Sequence, residues 1–221
     1  MSRLSTAAPP ALGRRLTIPY LAQERSPGVR ACGAACLAMA YAALGRPEPA
    51  AEIWERIAAP DRRGRRFART VQLARDAIRC GWSATILRPE DPFAALTGAL
   101  EQGACVLANH RLSPGSPWGH FSVAIECRAG DIWLHDPLRG ASLRQTTIAF
   151  DRCWAPLAEP GETIGHVLLA ITPPEPGGLS DVCETCRQPI PLALVQQLRG
   201  LADGILFCPH CDTGWRLSPS A

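Results

Sequence analysis

The chain has 221 residues, which at about 100–200 residues per domain leaves room for one full domain and a small appendage. With 47% hydrophobic and 19% charged residues, and no apolar run near the ~18 residues of a membrane span, it reads as a soluble globular protein without a transmembrane segment. A net charge of +3 gives no electrostatic case for a nucleic-acid partner or an anionic membrane, and all 23 basic residues are arginines, whose permanent charge excludes a lysine Schiff base or lysine general base.

Residues 1–16 are polar and Pro/Ala-rich and lack the apolar stretch of a secretory signal, so a flexible tail on a cytoplasmic protein is expected. Residues 16–21 read as a short extended segment. A helix is expected over 32–44, because Leu37, Ala40, Tyr41 and Leu44 fall at i, i+3, i+4 and i+7 and Gly45 can end it in a left-handed cap. Further helices are expected over 49–58, over 67–79 with Gly81 as stop, and over 92–102 after the N-cap candidate Asp91. The cluster Arg62, Arg63, Arg65, Arg66 and Arg69 reads as a solvated loop and helix start. Short runs bounded by Gly, Pro and Asp predict strands over 105–109, 120–127, 131–135, 141–149 and 164–171. Helices followed by antiparallel strands define an α+β domain over 17–172. The Pro/Gly-rich stretch 173–180 predicts a linker, and 181–217 a small module with a cysteine pattern of its own.

Ten cysteines in a reducing compartment point to metal binding, catalysis or packing. Cys32 stands at a predicted helix start, where free N–H groups and the positive dipole end favour a thiolate. Arg30 can add to that field. Cys36, one turn on, has no free N–H groups around it and reads as packing, as do Cys80, Cys105, Cys127 and Cys153. A thiolate mechanism needs an imidazole. His120 opens the alternating run His120-Phe-Ser-Val-Ala-Ile-Glu126 with small residues on its own face, whereas His110 and His166 read as structural. If Arg128, Ala129 and Gly130 form a three-residue hairpin loop, Cys127 faces Asp131 and Ser122 faces Asp136, so Asp136 shares a face with His120. A one-residue slip would turn Asp136 away, and as a residue of Asp136-Pro-Leu-Arg-Gly140 it equally reads as a turn former.

Four ordered motifs carry a resemblance: Ile18-Pro-Tyr-Leu-Ala-Gln23, Ala31-Cys-Gly-Ala-Ala-Cys-Leu-Ala-Met-Ala40 closing at Gly45, Gly119-His-Phe-Ser-Val123, and His135-Asp-Pro137 with Gly140. Together they resemble the bacteriocin-processing, double-glycine leader peptidases, a papain-like family, over about residues 18–140. Ala31 departs from the acidic residue that often precedes the family's cysteine. The resemblance implies a papain-like cysteine peptidase fold with N-terminal helices on an antiparallel sheet. It implies Cys32 as nucleophile, His120 as general base, Asp136 as third member and Gln23 in the oxyanion hole, with no cofactor for catalysis.

Cys183-Glu-Thr-Cys186 and Cys208-Pro-His-Cys211 have the spacing of a four-cysteine zinc-ribbon site, and a structural Zn2+ would hold together a segment too small for its own core. The expected function is a stand-alone cysteine peptidase or amide hydrolase acting on a peptide or protein substrate, with the ribbon as a possible protein-docking surface. The alternatives are a non-catalytic peptide-binding adaptor and an acyltransferase using the same acyl-enzyme.

Overall fold

The computed structural model describes residues 16–24, 30–60, 64–157, 162–174, 180–198 and 204–217. Residues 1–15 of the expected tail over 1–16, Arg62 and Arg63 of the basic cluster and 175–179 of the expected linker over 173–180 lie outside them.

Helix α1 (Cys32–Ala43) runs through the interior, and every residue from Cys32 to Tyr41 is buried. A helix apolar on all sides requires neighbours on all sides. It stops as its sequence dictates: Gly45 adopts φ 87°, its N–H donates to Ala42 C=O at 3.1 Å, and the Arg46 N–H donates to Tyr41 C=O at 2.9 Å. These two bonds form a Schellman motif. Helix α2 (Ala50–Ile57) buries Ile53, Trp54 and Ile57 against α1. The two-residue strands β1 (Ala59–Pro60) and β2 (Arg66–Phe67) pair with each other, so α3 (Thr70–Arg79) begins three residues later than the expected 67. Buried Asp76 of α3 ties these helices together. It accepts from Tyr41 Oη of α1 at 3.0 Å, from Arg56 Nε of α2 at 2.7 Å and from Arg79 Nη2 at 2.7 Å.

Strand β3 (Ser83–Pro89) follows, in a stretch for which no strand was expected. Its run Ser-Ala-Thr-Ile-Leu-Arg-Pro is buried on both faces and so lacks the polar alternation that marks a half-exposed strand. Helix α4 (Pro92–Glu101) is capped by Asp91, whose side chain accepts the Ala94 N–H at 3.0 Å. Then come β4 (Cys105–Arg111), β5 (Gly119–Arg128), β6 (Asp131–Asp136) and β7 (Gly140–Thr146). Beyond Thr146 the expected strand over 141–149 gives way to helix α5 (Thr147–Trp154). The Thr146 hydroxyl accepts the Ala149 N–H at 3.1 Å and starts the helix, so a Thr-Thr-Ile run with strand propensity is overruled by a cap. Strand β8 (Val167–Thr172) begins at Val167, three residues after the expected start.

The C-terminal part contributes β9 (Ser180–Val182) paired with β10 (Pro189–Pro191), helix α6 (Ala193–Gln197), β11 (Gly204–Phe207) and β12 (Gly214–Leu217). Strands β11 and β12 complete one eight-stranded antiparallel sheet in the order β12-β11-β3-β8-β4-β5-β6-β7. Gly204 permits this junction. It has φ 150° and faces Pro89, and a Cβ on it would lie 2.3 Å from the Arg88 carbonyl oxygen.

Alternation along the strands builds two cores. Ala84, Ile86, Leu107, Val123, Leu169 and Ile171 face α1, α2 and α3, while Leu87, Val106, Ala124, Leu134, Leu168 and Leu206 face α4, α5 and the four-cysteine segment. Among the described residues no helix is long and apolar enough to cross a membrane.

Candidate active site

The register of β5 and β6 decides the site, and it is set differently from the expected three-residue loop. Arg128 pairs with Asp131 across a two-residue turn, with Ala129 at φ 50° and Gly130 at φ 80°. Both central residues being left-handed is the mark of a type I′ turn. That turn alone would put Asp136 on the wrong face. A bulge between Ala124 and Glu126 inserts one extra residue, after which Val123 pairs with His135, and the face is restored. His120 Nε2 then lies 2.8 Å from Asp136 Oδ1, with both side chains only 4% exposed.

Asp136 contacts His120 and also shapes the turn in which it stands. The same Oδ1 accepts the N–H groups of Leu138 at 2.9 Å and Arg139 at 3.1 Å, so the turn after β6 and the imidazole share one carboxylate. The contact with Nε2 leaves Nδ1 of His120 for the thiol of Cys32. Cys32 is the first residue of α1, whose N-cap Ala31 offers no side-chain bond. Burial raises the Cys32 pKa, but the His120 hydrogen bond and positive charge, a backbone N–H at Phe121 and the field of Arg30 outweigh it and leave the thiol below its ordinary value. Burial likewise disfavours charged His120, yet Asp136 and Cys32 push its pKa up to about 9. Asp136 is held below the usual carboxylate range, against its own burial, chiefly by His120. The three groups therefore favour a thiolate–imidazolium–carboxylate array. Cys36, Cys80, Cys105, Cys127 and Cys153 all have raised values, led in each case by burial, which separates Cys32 from the other thiols outside the four-cysteine cluster.

Gln23 reaches the site through the extended segment 16–23. Ile18 C=O accepts from Nε2 of His135 at 3.0 Å, Tyr20 stacks edge-on to the His135 ring at 5.6 Å, and the Gln23 N–H donates to Pro137 C=O at 2.9 Å. The segment is thereby laid against the end of β6, and Gln23 joins Cys32 and His120 in the wall of one cleft of about 1130 Å3. Among the described residues, the Gln23 side-chain oxygen is buried with no hydrogen-bond partner. His110 packs edge-on to His120 at 5.2 Å. Its Nδ1 contacts the Arg111 carbonyl at 2.7 Å and its Nε2 the Ser122 hydroxyl at 2.9 Å, and burial pushes its pKa down to about 3. His110 is thus a neutral, fully bonded wall behind His120.

Trp118, Glu162, Phe207 and Asp212 also line the cleft and carry no sequence signal, because they come from unrelated elements. Arg30 pairs with Glu162 at 2.5 Å and donates to Gly119 C=O at 2.9 Å, and Glu162 accepts the Gly119 N–H at 2.8 Å. The Arg30 guanidinium also lies over Trp118, 5.2 Å from the ring centroid. Asn109 donates to Thr70 Oγ1 at 2.8 Å, and its own side-chain oxygen has no partner among the described residues.

The four C-terminal cysteines also come together, with all four sulfurs within 4.8 Å of one another. Cys183 and Cys211 are 3.5 Å apart and Cys186 and Cys208 3.7 Å. The two halves repeat one geometry. The Arg187 N–H donates to the Cys183 C=O at 2.8 Å and the Asp212 N–H to the Cys208 C=O at 3.0 Å, and Arg187 and Asp212, one residue past each pair, have φ of 61° and 67°. Such a cluster can hold a metal ion.

No protein-family model and no curated protein matches the sequence. Solved structures do. A double glycine motif protease from an AMS/PCAT transporter, solved in complex with the leader peptide, is similar at a TM-score of 0.55 and 20% identity over 76% of this chain and 100% of that one. The peptidase domain of Streptococcus ComA, a bi-functional ABC transporter involved in a quorum-sensing pathway, gives 0.53 and 16% over 72% and 100%. A C39-like protein from Bacillus anthracis gives 0.58 and 14% over 72% and 96%. The chain therefore has the papain-like fold of the C39-type, double-glycine peptidase domains, with a four-cysteine cluster at its C-terminal end.

Proposed function

We propose that this chain is a cysteine peptidase acting on a peptide substrate, with Cys32 as nucleophile, His120 as its acid and base, Asp136 as the group that orients and charges His120, and Gln23 as an oxyanion donor. The observation that carries this reading is the buried array in which Asp136 Oδ1 holds His120 Nε2 at 2.8 Å while Cys32, its thiol lowered, sits beside the same ring in an open cleft. Cys32 Sγ attacks the amide carbonyl, and the electron pair of the C=O bond moves to oxygen. The Gln23 amide and the first-turn N–H groups of α1 stabilise that oxyanion. Exchanging the ends of the Gln23 amide by a half-turn puts its NH2 where the unpartnered oxygen now lies, leaving a donor free for the substrate. His120 passes its proton to the departing amine as the C–N bond breaks. Water, deprotonated by His120, then resolves the thioester.

The four-cysteine cluster fits zinc. A tetrahedral site with Zn–S of about 2.3 Å has S···S edges of about 3.8 Å, and the two short pairs lie at 3.5 and 3.7 Å. Cys183, Cys186, Cys208 and Cys211 would hold the ion, which would act as a structural cross-link.

Labelling with iodoacetamide at neutral pH, mapped by mass spectrometry, tests the reading together with turnover of a Gly-Gly-containing peptide. Cys32 should react first, and Cys32→Ala should abolish turnover. A Cys32 no faster than Cys36 or Cys105, with turnover intact in Cys32→Ala, would overturn it. Elemental analysis should find one zinc per chain, lost in Cys183→Ser with loss of Tm.

A further inference from the structure

The four-cysteine segment does not sit apart from the cleft. Strand β11 alternates across the sheet: Leu206 and Cys208 point into the core shared with α4 and α5, whereas Phe207 packs on the opposite face, with the core that contains Cys32. Cys208 is a member of the sulfur cluster and Phe207 precedes it directly. Asp212 follows the last cysteine, and both Phe207 and Asp212 line the cleft that Cys32 and His120 also line. The same turn is moored to the cleft's other wall, because Arg75 of α3 donates to the His210 carbonyl. Phe207 is further fixed by its ring, which lies over Gly214: a Cβ there would stand 3.1 Å from Phe207 Cε1.

From these contacts we propose that the four-cysteine segment forms the distal wall of the substrate cleft, and that metal bound to the cysteines fixes Phe207 and Asp212 as a recognition subsite for a peptide residue far from the scissile bond. The inference rests on the peptidase reading of Cys32 and His120.

The sheet gives the span. Phe207 pairs with Ile86, Ile86 with Leu169, Leu169 with Leu107 and Leu107 with Val123, so four strand spacings separate it from β5, and His120 lies three residues along β5 from Val123. At about 4.8 Å per spacing and about 3.3 Å per residue, the two side chains are roughly 20 Å apart. An extended peptide covers that in about six residues. A substrate shorter than this meets only the Cys32 end of the cleft, and a longer one also meets Phe207, whose ring offers an apolar contact beside the Asp212 carboxylate.

The test uses the full chain in a Cys32→Ala background and two fluorescein-labelled peptides ending in Gly-Gly, a short form of about three residues and a long form of about ten. Fluorescence anisotropy should show the long peptide binding more tightly. Phe207→Ala, with one metal per chain retained, should weaken the long peptide by about tenfold, as loss of an aromatic anchor does, and leave the short one unchanged. Cys186→Ser, with the metal lost, should do the same. Iodoacetamide labelling of Cys32, in chains that keep it, should be equally fast in all of these. Equal binding of the two peptides, or a long-peptide preference that survives Phe207→Ala, would overturn the proposal, as would a labelling rate that falls in step with binding. A retained length preference with no hydrolysis and an ordinary Cys32 would instead refute the peptidase reading while sparing the subsite.

Discussion

Asp136→Asn isolates charge from geometry. An asparagine keeps an Oδ1 that can accept the N–H groups of Leu138 and Arg139 and of His120, so the turn after β6 and the ring orientation survive while the negative charge is lost. Raising His120 from an ordinary 6.5 to about 9 corresponds to roughly 3 kcal/mol in favour of imidazolium. Asp136 and Cys32 supply this against the opposing effect of burial, and with Asp136 carrying about half of it the variant loses on the order of 1.5 kcal/mol, roughly tenfold in kcat/KM at neutral pH. The pH profile is the sharper readout. In the parent the ion pair exists between the lowered Cys32 and a His120 that deprotonates near 9, so hydrolysis should fall off on the alkaline side at about that pH. In Asp136→Asn the alkaline limb should move down by about one pH unit, and the midpoint of Cys32 alkylation by iodoacetamide should move up, because a less charged His120 no longer favours the thiolate. The linkage has a fixed sign. A His120 raised above its unfolded value adds stability that is complete below about 6.5 and is lost as pH rises to about 9, so the parent Tm should decline over that window and the variant's should decline less. Limbs that stay in place, with the fold intact by circular dichroism, would refute the electrostatic role given to Asp136.

Two further predictions follow from single side chains. Gln23→Ala should lower kcat by about 10²-fold, the scale of a lost oxyanion donor, and leave iodoacetamide labelling of Cys32 unchanged; equal losses in both would place Gln23 in folding instead. Asp76→Ala leaves Arg56 and Arg79 without their buried partner and removes the acceptor of Tyr41. It should cost about 2–4 kcal/mol by denaturant unfolding, below the loss for a fully buried network because the two arginines reach solvent.

Local chemistry made much of the molecule legible. The helix ends at Gly45, Gly81 and Asp91 follow from residues with one good conformational use. The two Cys-x-x-Cys pairs specified a cluster because tetrahedral ligation restricts spacing. The choice of Cys32 and His120 followed from a helix start and a strand with room beside its first residue. Strand β3 was invisible because burial on both faces removes alternation, and α5 because Thr146 caps a helix within a strand-like run.

Residue type and short spacing, both local, marked which residues could form a thiol–imidazole–carboxylate array and which cysteines could share a metal. That the array closes is a property of the tertiary structure alone. The two-residue turn at Ala129-Gly130 and the bulge between Ala124 and Glu126 each shift the register by one, and their cancellation returns Asp136 to the face of His120. Only the tertiary structure, too, brought the four-cysteine segment to the cleft. That joining rests on Gly204, whose missing Cβ lets β11 approach the Arg88 carbonyl of β3, a contact between residues more than a hundred positions apart that no local pattern encodes.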